Sequence, residues 1–310
     1  MSDYSIVEEA LKFIGAGYAY DTATGEIFSP GREEAEKISP GGLSYAHKRP
    51  KGDKVPASVK IWGEGNLLKA TREGPFEAPG GGKRGQVIGL SRSARRHMMY
   101  RLCEVKRSSA PLFVTLTYPD LYDKNPRRWK RDLKTFFQRL KRDYPGSSAF
   151  WRLELKRRIS GNSQGQIAPH FHLLTWGVSF LHMLNFIKVA WWQVVGSGNE
   201  DHYKAGTNVQ VVRTENGVKR YAAKYASKNE DEENLFVEVQ KVGAVGRLWG
   251  IFNRPGIPWA DCETIITSNE EVYKLLRLMR RYSHLKMRAK TPSMTLMVND
   301  PSQWKRPLRC

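Results

Sequence analysis

Apolar positions in the middle of the chain either alternate or recur every three to four residues, and these two periods divide it into strands and helices. Pro111-Leu112-Phe113-Val114-Thr115-Leu116-Thr117-Tyr118-Pro119 alternates and reads as a central strand ended by proline. Asn125 and Pro126 then serve as cap and first residue of a helix. On it Trp129, Leu133, Phe136, Phe137, Leu140 and Tyr144 share one face, and basic residues occupy the rest. Phe150 to Lys156 reads as a second strand, Arg157 to Ala168 as a polar hairpin loop, and Ile167 to Trp176 as a third strand. A helix from about Phe180 to Val194, a Gly-rich turn and a short strand from Asn208 to Arg213 come next. A further helix begins near Asn216 and runs to about Lys228, where the acidic run Asn229 to Glu233 is expected to end it. The order predicts an α+β fold, an antiparallel sheet with helices on one face.

The flanks are harder to read. Residues 1–85 repeat Gly, Pro and charge, as in Pro40-Gly41-Gly42 and Pro79-Gly80-Gly81-Gly82-Lys83, and are expected to form an irregular basic leader, partly disordered. Leu90 to Arg107 fits a basic helix. Residues 86–258 would then be one folded domain and residues 259–310 a basic tail, with an amphipathic helix from Tyr273 to Lys290.

Charge narrows the partners. The 310 residues carry 51 Lys+Arg against 31 Asp+Glu, a formal net charge of +20, which favours a polyanion through counterion release and long-range attraction. Nucleic acid is the first candidate and an anionic membrane the second. No run approaches the roughly 18 apolar residues of a spanning helix, and Asp3, Glu8 and Glu9 leave the start unlike a signal peptide, so no membrane association is expected. Three widely spaced cysteines, Cys103, Cys262 and Cys310, suit neither a disulfide framework nor a four-cysteine zinc site, and point to a reducing cytoplasm. Candidate DNA contacts are Arg95 and Arg96 on the first basic helix and Arg127, Arg128 and Lys130 behind the aromatic stripe. Arg213 and Arg220, further along, complete the set. The bland alternative for these clusters is a solvated charged face, and for the aromatic stripe a core.

Pro169-His170-Phe171-His172-Leu173-Leu174 sets two imidazoles one residue apart in an apolar strand, so both rings share a face. Two neutral imidazoles aimed at one point invite a divalent metal; hydrogen-bonded structural histidines are the alternative. In Arg220-Tyr221-Ala222-Ala223-Lys224-Tyr225-Ala226-Ser227-Lys228, helical spacing makes one stripe of Tyr221, Lys224, Tyr225 and Lys228. A phenol becomes a nucleophile near neutral pH only when a cation stabilises its phenolate, and the lysines stand where they can do so or neutralise phosphate. Histidine pair plus tyrosine stripe thus describes a phosphodiester transesterase. Glu154 is the third-ligand candidate, because alternation in Trp151-Arg152-Leu153-Glu154-Leu155 sends it away from the leucines. An ion pair is its alternative role.

These segments, in this order and spacing, resemble motifs one, two and three of the HUH rolling-circle replication initiators: Phe113 to Tyr118, Pro169 to Leu174, and Tyr221 to Tyr225. The paired tyrosines are similar to those of two-tyrosine, gene A type replication proteins of single-stranded DNA phages and related plasmids. Gly246-Arg247-Leu248-Trp249-Gly250 resembles a segment downstream of the tyrosine helix in such proteins. The resemblance spans roughly residues 110 to 255. It implies a ferredoxin-like or RRM-like sheet, with His170, His172 and, as third ligand, Glu154 on Mg²⁺ or Mn²⁺. Tyr221 and Tyr225 would be nucleophiles, their order left open because each is followed by its own lysine, Lys224 or Lys228. Nicking of single-stranded or supercoiled origin DNA would leave a 5′-phosphotyrosine and a free 3′-hydroxyl primer, and rejoining would close the displaced strand. Gly80-Gly81-Gly82-Lys83-Arg84 lacks the Ser or Thr that follows a P-loop lysine, so a host helicase, with a host polymerase, is expected to assist. A relaxase or single-strand transposase is the alternative enzyme. A non-catalytic nucleic-acid-binding module would call for strand aromatics of a kind not seen here.

Overall fold

A computed structural model of the chain describes residues 19–20, 27–28, 55–62, 67–74, 87, 89–160, 163–212, 230–283 and 293–297. In chain order these form β1 (Ala19–Tyr20), β2 (Ile27–Phe28), β3 (Ser58–Trp62), β4 (Leu67–Thr71), α1 (Arg92–Cys103), β5 (Leu112–Thr117) and α2 (Pro126–Asp143). There follow β6 (Ser148–Arg157), β7 (Ile167–Trp176), α3 (Phe180–Val195), α4 (Glu200–Ala205) and β8 (Thr207–Val211). The last are α5 (Glu230–Gln240), β9 (Trp249–Phe252), β10 (Cys262–Ile266), α6 (Asn269–Ser283) and β11 (Ser293–Met297). The fold is α+β with two antiparallel sheets, and the chain divides into two units.

One unit, residues 84–91 and 109–258, contains the five-stranded sheet β8-β5-β7-β6-β9, each neighbouring pair antiparallel. Strand, helix, strand, strand, helix, strand with β5 beside β7 is the ferredoxin-like arrangement. Leu112, Val114 and Leu116 of β5 lie in register with Thr175, Leu173 and Phe171 of β7, and all six are buried. Against this face pack Trp129, Leu133 and Phe136 of α2 and Met183, Ile187 and Trp191 of α3, all buried. Trp191 ties the layers together: its ring meets Phe171 edge-on at 6.3 Å between centroids, and its Nε1 donates to the Thr117 carbonyl at 2.6 Å. The α2 start matches the sequence expectation, with Pro126 at the first turn and Asn125 Oδ1 accepting from the Arg127 amide at 3.0 Å.

The other unit, residues 1–83, 92–108 and 259–310, contains the sheet β10-β3-β4-β11-β1-β2. Its core joins Val59, Ile61, Leu68 and Ala70 to Leu276 and Met279 of α6 and Leu296 of β11. The leader and the tail were expected as separate irregular and helical segments. Their described residues instead pair as strands: Val59 opposes Ile265, and Leu68 opposes Leu296. Two further corrections concern helices. The acidic run expected to stop a helix at Asn229 to Glu233 instead opens α5, in keeping with the preference for acids in a first turn. The six-residue α4, absent from the sequence reading, is capped by Asn199, whose Oδ1 accepts from the Asp201 amide at 2.7 Å.

Candidate active site

Strand alternation divides β5, β6 and β7 between two surfaces. On the surface opposite the α2 and α3 core, Thr115 and Thr117 of β5 lie in register with His172 and His170 of β7. Those in turn oppose Arg152 and Glu154 of β6. The polar residues therefore form two adjacent cross-strand rows. Phe113, Leu174 and Phe150 continue the same face as an apolar row, again in register.

Within the rows the contacts are specific. Glu154 Oε2 and His172 Nε2 are 2.6 Å apart, both side chains nearly buried, while His172 Nδ1 stands 3.2 Å from the Thr115 hydroxyl. Carboxylate, imidazole and hydroxyl thus form a chain that fixes the His172 ring, and Phe113 stacks on that ring at 5.5 Å. The two imidazole planes lie within 8° of parallel, with centroids 6.3 Å apart. Lys156, next on the same face of β6, brings its ammonium to 3.3 Å from Glu154 Oε2.

Electrostatics follow from this packing. Burial alone would raise the Glu154 carboxyl. The His172 hydrogen bond and charge outweigh that, with help from Lys156 and Arg152, and hold it down at about 2. His170 moves the other way from most surface histidines: burial first, then the neighbouring His172, Lys156 and Arg158, against a smaller opposing effect of Glu154, lower it to about 4. At neutral pH the site therefore presents a carboxylate and a neutral His170 ring, the protonation states a metal requires of its ligands. Two imidazoles and a carboxylate are donors that Mn²⁺ or Mg²⁺ accepts. Among the described residues no set of three or more His, Cys, Asp or Glu side chains closes on one point as a metal cluster. What is present is the Glu154–His172 contact with His170 beside it.

The other candidates are dispersed. Tyr221, Lys224, Tyr225, Lys228, Arg213 and Arg220 lie outside the described residues. Arg95 and Arg96 stand on α1 in the other unit, with Arg96 buried. Arg127 is exposed at the head of α2; Arg128 pairs with buried Asp132 at 2.9 Å. Lys130 turns inward, its ammonium 4.5 Å from the centroid of Trp151 and bonded to the Arg247 carbonyl. Thr115, Phe113 and Lys156 were not singled out as site residues from sequence. The alternation that aligned Glu154 with the histidines carried the same signal for Thr115 and Lys156, whereas the Phe113 stack depends on a cross-strand register that sequence leaves open.

A ferredoxin-like sheet with histidines and a carboxylate on the face away from α2 and α3 is a framework suited to metal-assisted phosphoryl chemistry. Residues 111–230, the segment carrying β5 to β8 and the start of α5, match the replication-associated protein family of the ORF2 type. This match supports a rolling-circle replication initiator. No curated protein and no solved structure matches the chain. Among the described residues no helix is long and apolar enough to cross a membrane.

Proposed function

We propose that the protein starts rolling-circle replication by nicking single-stranded origin DNA, with the His170, His172 and Glu154 face as the metal side of the centre and Tyr221 and Tyr225 as nucleophiles. The carrying observation is the 2.6 Å contact between Glu154 and His172, in register with His170, inside the segment that matches the replication-associated family. His170, His172 and the Glu154 carboxylate would hold Mg²⁺ or Mn²⁺, which when bound polarises a nonbridging phosphate oxygen.

The protein's own groups do the rest. Glu154 and Thr115 hold the His172 ring from its two nitrogens, so its orientation is set before substrate arrives. Lys156, half exposed beside Glu154, supplies a cation at the mouth of the face for the DNA backbone. The phenolate oxygen of Tyr221 or Tyr225, stabilised by Lys224 or Lys228, attacks phosphorus. The bond to the 3′ oxygen breaks, and that oxygen takes up a proton. The products are a 5′-phosphotyrosine and a 3′-hydroxyl from which a host polymerase extends, with a host helicase opening the duplex. The second tyrosine repeats the attack when the origin is regenerated, and the 3′-hydroxyl formed then displaces the first tyrosine to close the circle.

The purified full chain should cut single-stranded DNA containing its replication origin in Mn²⁺ or Mg²⁺ and stop in EDTA. His170→Ala should slow cutting on the order of 100-fold or more. Cutting that persists in EDTA and in His170→Ala would remove the metal assignment.

A further inference from the structure

Trp151 sits on β6 three residues before Glu154, and alternation turns it to the opposite side of the sheet. There, between α2 and the segment leading into β9, lies an open groove of about 900 Å³, near the upper end of the roughly 300–1,000 Å³ that small-molecule sites occupy. Its floor is apolar and aromatic. Phe137 and Phe252 stack at 4.4 Å with planes 4° apart, and Leu133, Val245 and Trp151 complete the lining. Trp151 is held flat because residue 250 is glycine: a Cβ there would come within 2.8 Å of the indole nitrogen. The rim is cationic. Arg127, Lys134, Lys141, Arg142 and Arg247 are exposed, and among the described residues no acidic side chain lines the groove. Of these cations, Arg142 is paired with its neighbour Asp143 at 3.1 Å.

An aromatic floor under a ring of cations without a balancing acid selects a ligand with flat apolar groups strung along a polyanion. Single-stranded DNA has that chemistry: bases stack or wedge against aromatic rings, and phosphates meet lysine and arginine. Duplex DNA does not fit, since its bases are stacked on one another and cannot reach the floor. Burial and the nearby Arg247 lower the Lys130 ammonium to about 7, so the cation at the groove's inner wall is easily neutralised when a base displaces water around it.

We propose that this groove is a second binding site for single-stranded DNA, distinct from the histidine face. An unstacked base lodges between Trp151 and the Phe137–Phe252 stack, and adjacent phosphates sit on Lys134, Lys141 and Arg247. Because Trp151 and Glu154 point to opposite faces, the stretch held here is not the stretch being cut. It is flanking or displaced strand, retained while the ends are exchanged. The proposal shares only its ligand class with the nicking reading.

The test uses the full chain and an oligothymidylate bearing 5-iodouracil, cross-linked by light and mapped by mass spectrometry. Cross-linked peptides should contain Trp151 or residues 244–252, in the native protein and in His170→Ala alike. The double variant Lys134→Glu, Lys141→Glu changes only exposed side chains, and should lower the slope of log affinity against log salt by about 1.4. An abasic strand of the same length should bind several-fold more weakly. Equal binding of the abasic strand, cross-links confined to other residues, or an unchanged salt slope would each overturn the proposal. Loss of nicking in His170→Ala with the groove cross-links retained supports it, and failure of the native protein to nick while cross-linking here would sink the nicking reading alone.

Discussion

The two faces of strand β7 differ by a single residue step and do opposite work. Phe171 and Leu173 point into the helices and are fully buried against partners such as Trp191, while His170 and His172 point the other way into a row of hydroxyls, a carboxylate and cations. The apolar face draws its stability from area removed from water and from close packing, which are indifferent to pH. The polar face depends on individual hydrogen bonds and on protonation state. One strand can therefore anchor a site rigidly and still present titratable donors, because whatever fixes the buried face also fixes the register of the other.

The largest expected break in this contrast is Phe171→Ala. It removes a fully buried ring between the two histidines and should cost about 3–5 kcal/mol, read from urea unfolding, with activity lost through loss of fold. His170→Ala, one residue away, should leave the unfolding midpoint nearly unchanged while suppressing nicking. A small cost for Phe171→Ala would mean that the faces have been assigned the wrong way round. Next in size is Glu154→Ala, which strips the partner from nearly buried His172 and should cost about 1–3 kcal/mol. Glu154→Gln should recover part of that stability, since an amide oxygen still accepts a hydrogen bond, without recovering metal-dependent cutting.

The smallest effect is one of pH and sharpens the same comparison. His170 is held at about 4, below its ordinary 6.5, so as pH falls from 6.5 towards 4 the unfolded chain takes up a proton that the folded chain refuses. That uptake lowers stability across this window, and the loss stops growing below about 4. His170→Gln should flatten the stability profile between pH 6.5 and 4, and the His170 ring should stay neutral by NMR until the lower end of it. Glu154 has the opposite sign of charge: its contribution is present above the ordinary carboxylate range and is lost as pH falls through about 2. A profile identical in the native protein and His170→Gln would contradict the burial assigned to this ring.

Local patterns were the most legible part of the chain. Strand β7 spans Ile167–Trp176, the boundaries that alternation predicts, and the Asn125-Pro126 cap opens α2 as read. Face assignment followed from the same period of two, which is why Glu154 could be aligned with the histidines before any pairing was known. Pairings between distant segments were not legible. Ser58–Trp62 joins Cys262–Ile266 across some two hundred residues, and neither short piece carries a mark naming its partner. The Gly and Pro around β3 and β4 made the leader look irregular, although Val59, Ile61, Leu68 and Ala70 are core. The aromatic groove escaped notice for a similar reason. Phe137 belongs to a stripe that mostly is core, and only its stack on Phe252 and the approach of Trp151 to Gly250 open one end of that stripe to a cationic rim.

The central claim is that the histidine face and the tyrosine segment act together on one phosphate. The most direct test is mass spectrometry of the full chain after reaction with a single-stranded origin oligonucleotide designed to trap the covalent product. The account predicts a peptide containing Tyr221 or Tyr225 joined to the 5′ phosphate of the cut strand, formed in Mn²⁺ and absent in EDTA, and abolished only when both tyrosines are changed to phenylalanine. Attachment through the 3′ phosphate, or an undiminished adduct in that double variant, would contradict it.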